Sequence, residues 1–98
     1  MTSIEFWGYL YKAYREEQVK ERVEYVLIYR VGQRVLDKLN ISRELFISCL
    51  LHYYPMWLKE GRLVALEVDA LPSEKWWARG WPVVFDGANR YVIAMKEK

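Results

Sequence analysis

The stretch QRVLDKLNISRELFISCLLH, Gln33 to His52, limits what this chain can become. Val35 and Leu39 recur four apart, Asn40-Ile41-Ser42 interrupts the pattern, and a second, far more apolar helical pattern follows. Asn40 tolerates the left-handed conformation that ends helices, and Ser42 is a good N-cap for what comes next. Leu39 and Ile41 flank the break and can pack beneath it. The rest of the chain has to be arranged around this helix pair.

Upstream, Thr2-Ser3-Ile4-Glu5 fits a capping box, with the Thr2 hydroxyl placed to accept from the Glu5 amide and the Glu5 carboxylate able to reach back. A helix is expected from about Ser3, because Phe6, Leu10 and Ala13 with Ile4, Trp7 and Tyr14 recur at three- and four-residue steps. Arg15 to Glu24 is charged and rich in helix formers, with Glu16 and Lys20 four apart in the favourable order. Val23 to Val31 suits a strand as readily as a buried helix, and the strong formers on both sides favour helix. A bend near Glu16 to Val19 is expected, because an unbroken rod from residue 3 to 39 would leave its apolar ends uncovered.

Downstream, the helix Arg43 to Tyr53 is expected to stop before Pro55, with a further turn from Met56 to Glu60 closed by Gly61. Val64, Leu66 and Val68 alternate with Ala65, Glu67 and Asp69, the period of a half-buried strand. Leu71-Pro72-Ser73 reads as a loop, and Ser73 to Trp77 as one short helical turn before Gly80. WPVVFDGANRYVIAM then predicts a hairpin of strands 81 to 86 and 90 to 96. A three-residue Gly87-Ala88-Asn89 loop sets Asp86 opposite Arg90, Phe85 opposite Tyr91 and Val83 opposite Ile93, making one face wholly apolar. A two-residue Asp86-Gly87 loop would set Val83 against Arg90, a poorer match. The expected fold is α+β: three main N-terminal helices, then a small antiparallel sheet with a C-terminal β-hairpin, in a single domain over residues 1–98.

The totals exclude several classes. Hydrophobic residues make up 53% of the 98 and aromatics 16%, which supports one core and excludes a disordered chain. Cys49 stands alone, so an intramolecular disulfide and a multi-cysteine zinc site are excluded, and a reducing, cytoplasmic compartment is expected. The nearly uncharged run from Leu45 to Leu58 is shorter than the roughly 20 residues a membrane-spanning helix needs. MTSIEFWGYLYK lacks the basic start and small-residue cleavage site of a signal peptide. Asn and Gln occur twice each against 29% charged residues, a balance resembling proteins of hot-growing organisms.

Catalytic constellations are thin. Cys49 and His52, three apart on one helix, supply two metal ligands with no third beside them, and read as a buried thiol and a half-exposed imidazole. The acidic pairs Glu16-Glu17 and Glu67-Asp69 lie in a charged helix and on an open strand face, so solvated carboxylates are expected. The expectation is a protein that is not an enzyme and uses no cofactor, no metal and no small-molecule substrate.

Charge is patterned. Residues 30 to 43 sum to +3, with four basic residues and one acidic, whereas 16 to 24 sum to −2. Arg30, Arg34 and Lys38 form one basic row spaced by four, and Arg43 follows just beyond the turn. Val35, Leu39, Asn40, Ile41, Ser42, Phe46, Cys49 and Leu50 fill in order the positions of a helix-turn-helix, so residues 33–52 resemble the helix-turn-helix and winged-helix DNA-binding domains. Leu36 and Asn40 depart from the small residue and the glycine usual at their positions. The resemblance implies a winged-helix-like fold, a transcriptional regulator, double-stranded DNA as partner, and a homodimer. Arg30, Arg34, Lys38, Ser42 and Arg43 would then hold phosphates or the groove edge, Glu44 and Ser48 would face bases, and Arg90 would act from the wing. Aromatic helix one, with Trp7, Tyr11 and Tyr14, would offer the dimer surface.

The second helix pulls against base reading. Its polar stripe is narrow, Glu44, Ser48 and His52, and of the residue types that usually read base edges only Arg43 is present. The basic row before the turn is thus the better contact. The alternative function is a protein-interaction module, an inhibitor or adaptor, in which Trp76, Trp77 and Trp81 form a hot spot on a partner.

Overall fold

The computed structural model describes residues 1–21, 24–68 and 79–97. Helix α1, Ser3–Glu21, begins on the expected capping box: the Glu5 amide donates to Thr2 Oγ1 at 3.2 Å and the Thr2 amide to Glu5 Oε1 at 3.0 Å. Its inward face buries Phe6, Trp7, Leu10, Ala13, Tyr14 and Glu17. The bend expected near Glu16 to Val19 is not there. The helix runs on to Glu21, since nothing in REEQVKE breaks it. The Tyr14 hydroxyl donates to the Glu24 carbonyl at 2.6 Å.

The segment Val23 to Val31, expected as helix, is only partly so. Val26–Leu27 forms a short strand, β1, and helix α2 occupies Ile28–Leu39. Leu27 has no side-chain oxygen with which to cap α2, so a sheet carbonyl substitutes: the Ile28 amide donates to the Tyr91 carbonyl at 2.9 Å. α2 ends as expected on Asn40 in the left-handed region, φ 54°, with the Ile41 amide donating to the Leu36 carbonyl. Ser42 caps helix α3, Arg43–Lys59, by accepting from the Leu45 amide at 3.1 Å.

α3 does not stop before Pro55 but passes through it. An interior proline costs a helix about 3 kcal/mol, and the far half recovers this by tertiary contact. Trp57 is fully buried, stacks on Phe6, meets Trp7 edge-on, and donates from Nε1 to the Ser3 carbonyl at 3.2 Å. Burying a side chain of that size contributes on the order of 4 kcal/mol.

After Gly61, strand β2, Leu63–Glu67, follows the expected alternation, with Val64 and Leu66 buried. Strands β3, Val83–Phe85, and β4, Ala88–Arg90, make a tight hairpin, and β5, Val92–Lys96, leaves it for the main sheet. The three-residue loop is therefore a wrong expectation. Asp86 and Gly87 alone turn the chain, both with positive φ (52° and 76°), the twist that suits two adjoining strands. Val83 lies opposite Arg90 and Phe85 opposite Ala88. Ile93 does not need Val83 as partner, because it faces Leu66, and Met95 next to it on the same face meets Val64.

The main sheet is antiparallel in the order β1-β5-β2, with Val26, Ile93, Met95, Leu66 and Val64 turned to one face. Three helices with a strand between the first two, and a sheet whose last strand lies between the others, make a winged-helix-like α+β fold. The β3-β4 hairpin is part of the excursion between β2 and β5. The Ser73 to Trp77 turn expected from sequence lies outside the described residues.

Candidate interaction surface

Every predicted contact except Trp76 and Trp77, which lie outside the described residues, can be placed. The basic row splits. Arg34 is drawn onto α1: Nε and Nη2 donate to Glu17 Oε2 at 3.2 and 2.9 Å, and Nη1 donates to Glu16 Oε2 at 3.0 Å. Arg30 Nη1 lies 4.0 Å from the other Glu17 oxygen. The Glu17 side chain is only 3% exposed, so its charge depends on these two guanidinium groups. The acidic and basic halves of the charge pattern thus meet across α1 and α2, with only Glu17 buried. Glu17 was read as solvated surface, yet it sits in phase with Phe6, Leu10 and Tyr14, and that spacing was the missed signal.

Lys38 is exposed at the end of α2, on the rim of an open cleft of about 530 Å³ between α1 and α2 that Tyr9, Lys12, Glu16, Arg34 and Asp37 also line. Ser42 spends its hydroxyl on the cap. Arg43 lies over the Trp81 ring, 5.7 Å from its centroid, with Nη2 4.0 Å from Glu44. Glu44 and Ser48 are exposed. Arg90 does not reach out from a wing tip. Its Nε donates to the Phe85 carbonyl at 3.1 Å and Nη1 to the Leu66 carbonyl at 3.4 Å, strapping the hairpin to β2.

Two aromatic expectations change. Trp81 is only partly buried, but its ring wedges over Gly32 and meets Phe46 edge-on at 5.9 Å, so it joins the core rather than an open patch. Of the expected dimer surface, Trp7 and Tyr14 are buried in the core and Tyr11, partly buried, stacks against both, because α1 turns its aromatic side to α3 and the sheet.

What α3 leaves to solvent is a face of its own. Phe46, Leu50 and Trp57 point inward, and the hairpin covers one flank through Trp81 on Phe46 and Phe85 on Tyr54 (4.9 Å). Outward stand Glu44, Leu45, Ser48, His52, Pro55, Met56, Leu58 and Lys59. Leu45 is 49% exposed, Met56 44% and Leu58 45%. Beside them the first residue is held down, its carbonyl accepting from the Tyr53 hydroxyl at 2.7 Å, while the Met1 and Ile4 side chains remain exposed. Between Arg43 and Lys59 this helix holds no Arg, Lys, Asn or Gln.

No protein family, curated protein or solved structure matches this chain. The site therefore has to be judged on its own chemistry. Among the described residues, no three His, Cys, Asp or Glu side chains converge as a metal site, and no helix is long and apolar enough to cross a membrane. Cys49 is a free thiol, partly buried, and the exposed His52 ring lies 5.1 Å from Tyr53. An exposed helix face with apolar side chains along its flanks and opposite charges at its ends can cover another apolar surface. It offers few donors to a base edge.

Proposed function

We propose that this chain is a non-enzymatic protein-docking module on a winged-helix-like frame, with the outer face of α3 as its contact. One observation carries the reading: Leu45, Met56 and Leu58 each stand nearly half exposed on a helix whose other faces are already packed. Other large apolar side chains, such as Val19 and Val84, are exposed too, but these three flank one strip of α3, and a partner would cover them together. The replacement Leu45→Ser with Met56→Ser tests this. It is expected to leave unfolding free energy within about 1 kcal/mol of the parent, as for surface changes, while abolishing association through α3. A loss of several kcal/mol, as in a core, would assign these residues to folding and remove the proposal.

A second reading, double-stranded DNA as partner of a transcriptional regulator, is favoured by a specific feature. Lys38 and Arg43 flank the α2–α3 turn beside the free amides of a helix start, the arrangement phosphates use. Ser42, Glu44 and Ser48 would then face the groove. With Arg30, Arg34 and Arg90 held by carboxylates and carbonyls, two of the five predicted cationic contacts, Lys38 and Arg43, remain for phosphates. The dependence of log affinity on log salt should then have a slope of about −1.8 per chain. Anisotropy of a labelled random duplex at about 50 and about 200 mM salt measures it. Duplex binding with that slope, lost in Lys38→Ala with Arg43→Ala, would replace docking as the function.

A further inference from the structure

We infer that the occupant of the α3 face is a second copy of this chain, seated antiparallel about a twofold axis that crosses α3 between Leu51 and His52. The inference rests on the docking reading above and names its partner.

At 100° per residue, Glu44, Ser48, Pro55 and Lys59 fall along the centre line of the exposed sector. Leu45, His52 and Met56 lie along one flank, Leu51 and Leu58 along the other. The two charges stand about 22 Å apart at the ends of this strip, from a rise of about 1.5 Å per residue. The twofold sets Glu44 level with the partner's Lys59, and Lys59 level with the partner's Glu44. It sets Ser48 level with the partner's Pro55, two small side chains that let the helices approach. On the shared flank, Leu45 comes within two residues, about 3 Å along the helix, of the partner's Met56, and the two His52 side chains meet beside the axis. A parallel pairing would stack Glu44 on Glu44 and Lys59 on Lys59. The order of charges along the helix therefore selects the antiparallel arrangement, as end charges do where helices pair.

The frame permits it. The β3-β4 hairpin lies on the Phe46 and Tyr54 side of α3, and α1 is packed behind, so neither crosses the Ser48–Pro55 line. Glu44 is 78% exposed and 4.0 Å from Arg43, a contact loose enough to yield to a better partner. One helix face is small beside ordinary stable interfaces, so this dimer belongs to the transient class and should dissociate on dilution.

The test is sedimentation equilibrium of the full chain over a wide concentration range, with circular dichroism as the folding control. The parent is expected to pass from monomer to dimer. Glu44→Lys and Lys59→Glu, each alone, should weaken dimerisation roughly tenfold, because two attractive pairs become repulsive. An equimolar mixture of these two single variants should recover association, and so should the double variant, since both restore opposite charges at each end. Three outcomes overturn the inference: a parent that stays monomeric at every concentration, single variants that dimerise like the parent, or charge exchange without recovery. Any of these leaves the docking reading standing on its own test, since the stability of the double serine variant does not depend on self-association.

Discussion

Gly32 offers the sharpest check on how the helix pair and the hairpin are fitted together. Replacing glycine by alanine inside a helix ordinarily stabilises by about 1 kcal/mol, through lower chain entropy and better propensity. Gly32 lies in α2, yet it is buried beneath Trp81. A Cβ there would overlap Trp81 Cη2 and stand 2.9 Å from Trp81 Cζ2 and 3.0 Å from Phe46 Cε2. The indole cannot simply swing aside, because its edge meets Phe46 and Arg43 lies over its face. Overfilling a packed site costs about 1–3 kcal/mol, which exceeds the propensity gain. Gly32→Ala is expected to destabilise by about 1 kcal/mol, a fall in Tm of roughly 4–8 °C for a domain of this size.

The partner variant makes the reasoning specific. Trp81→Phe removes the ring atoms that a Cβ would strike, and alone should cost about 1–2 kcal/mol through the void it leaves. In the double variant the new methyl occupies part of that void. The two changes should therefore be non-additive by about 1–2 kcal/mol in urea unfolding at fixed pH. A Gly32→Ala variant more stable than the parent, or a strictly additive pair, would show that Trp81 does not lie over α2.

Other consequences can be measured in the same way. Glu17→Gln keeps the shape but removes the charge that Arg34 and Arg30 answer. Because Arg34 is 42% exposed and can return to water, the loss should be about 2 kcal/mol in urea unfolding rather than that of a sealed pair. Pro55→Ala should raise Tm, by up to about 3 kcal/mol of stability, since Pro55 is exposed and lies inside α3. The Thr2 amide, and then its hydroxyl, hold the Glu5 carboxylate below its ordinary value of 4.5. A group depressed in the folded state stabilises above its unfolded pKa and ceases to as pH falls through its folded value, so the helical chemical shifts of the first turn of α1 should weaken below about pH 4.5, and Thr2→Ala should blunt that response. Burial raises the Tyr14 phenol above its ordinary value of 10.0. Its contribution is intact below pH 10 and lost as pH rises through the raised value, which alkaline unfolding of Tyr14→Phe against the parent would reveal.

What was legible in the chain was local. The Thr2–Glu5 box, the Asn40 turn, the Ser42 cap and the alternation of β2 each depend on residues within three or four positions, and each stands where the pattern put it. What misled was distant. β1 is two residues long and is a strand only because β5 lies beside it. The hairpin register followed from seeking an apolar partner for Ile93 and Met95 nearby, whereas β2 supplies it. Pro55 does end many helices, but the Trp57 anchor on Ser3 is invisible from the neighbours of Pro55. The candidate site suffered most. Lys38, Ser42, Arg43, Glu44 and Ser48 do gather around one helix start, while Arg30, Arg34 and Arg90 looked available only because Glu17 and the carbonyls of Phe85 and Leu66 were not yet in view.

That redistribution of charge bears directly on function. A winged-helix-like frame leaves one helix outermost, and the chemistry of that helix sets what the frame can hold. Here Arg30 and Arg34 are paired with Glu16 and Glu17, so the exposed strip of α3 retains Arg43 at one end and Lys59 at the other, with Leu45, Met56 and Leu58 on its flanks. A duplex and a second copy would need the same strip of α3, and the two exclude each other. Raising the protein concentration should therefore lower, not raise, the affinity of each chain for a random duplex if both occur. Cooperative duplex binding that grows with protein concentration would instead require a dimer joined elsewhere, and would move the interface off α3.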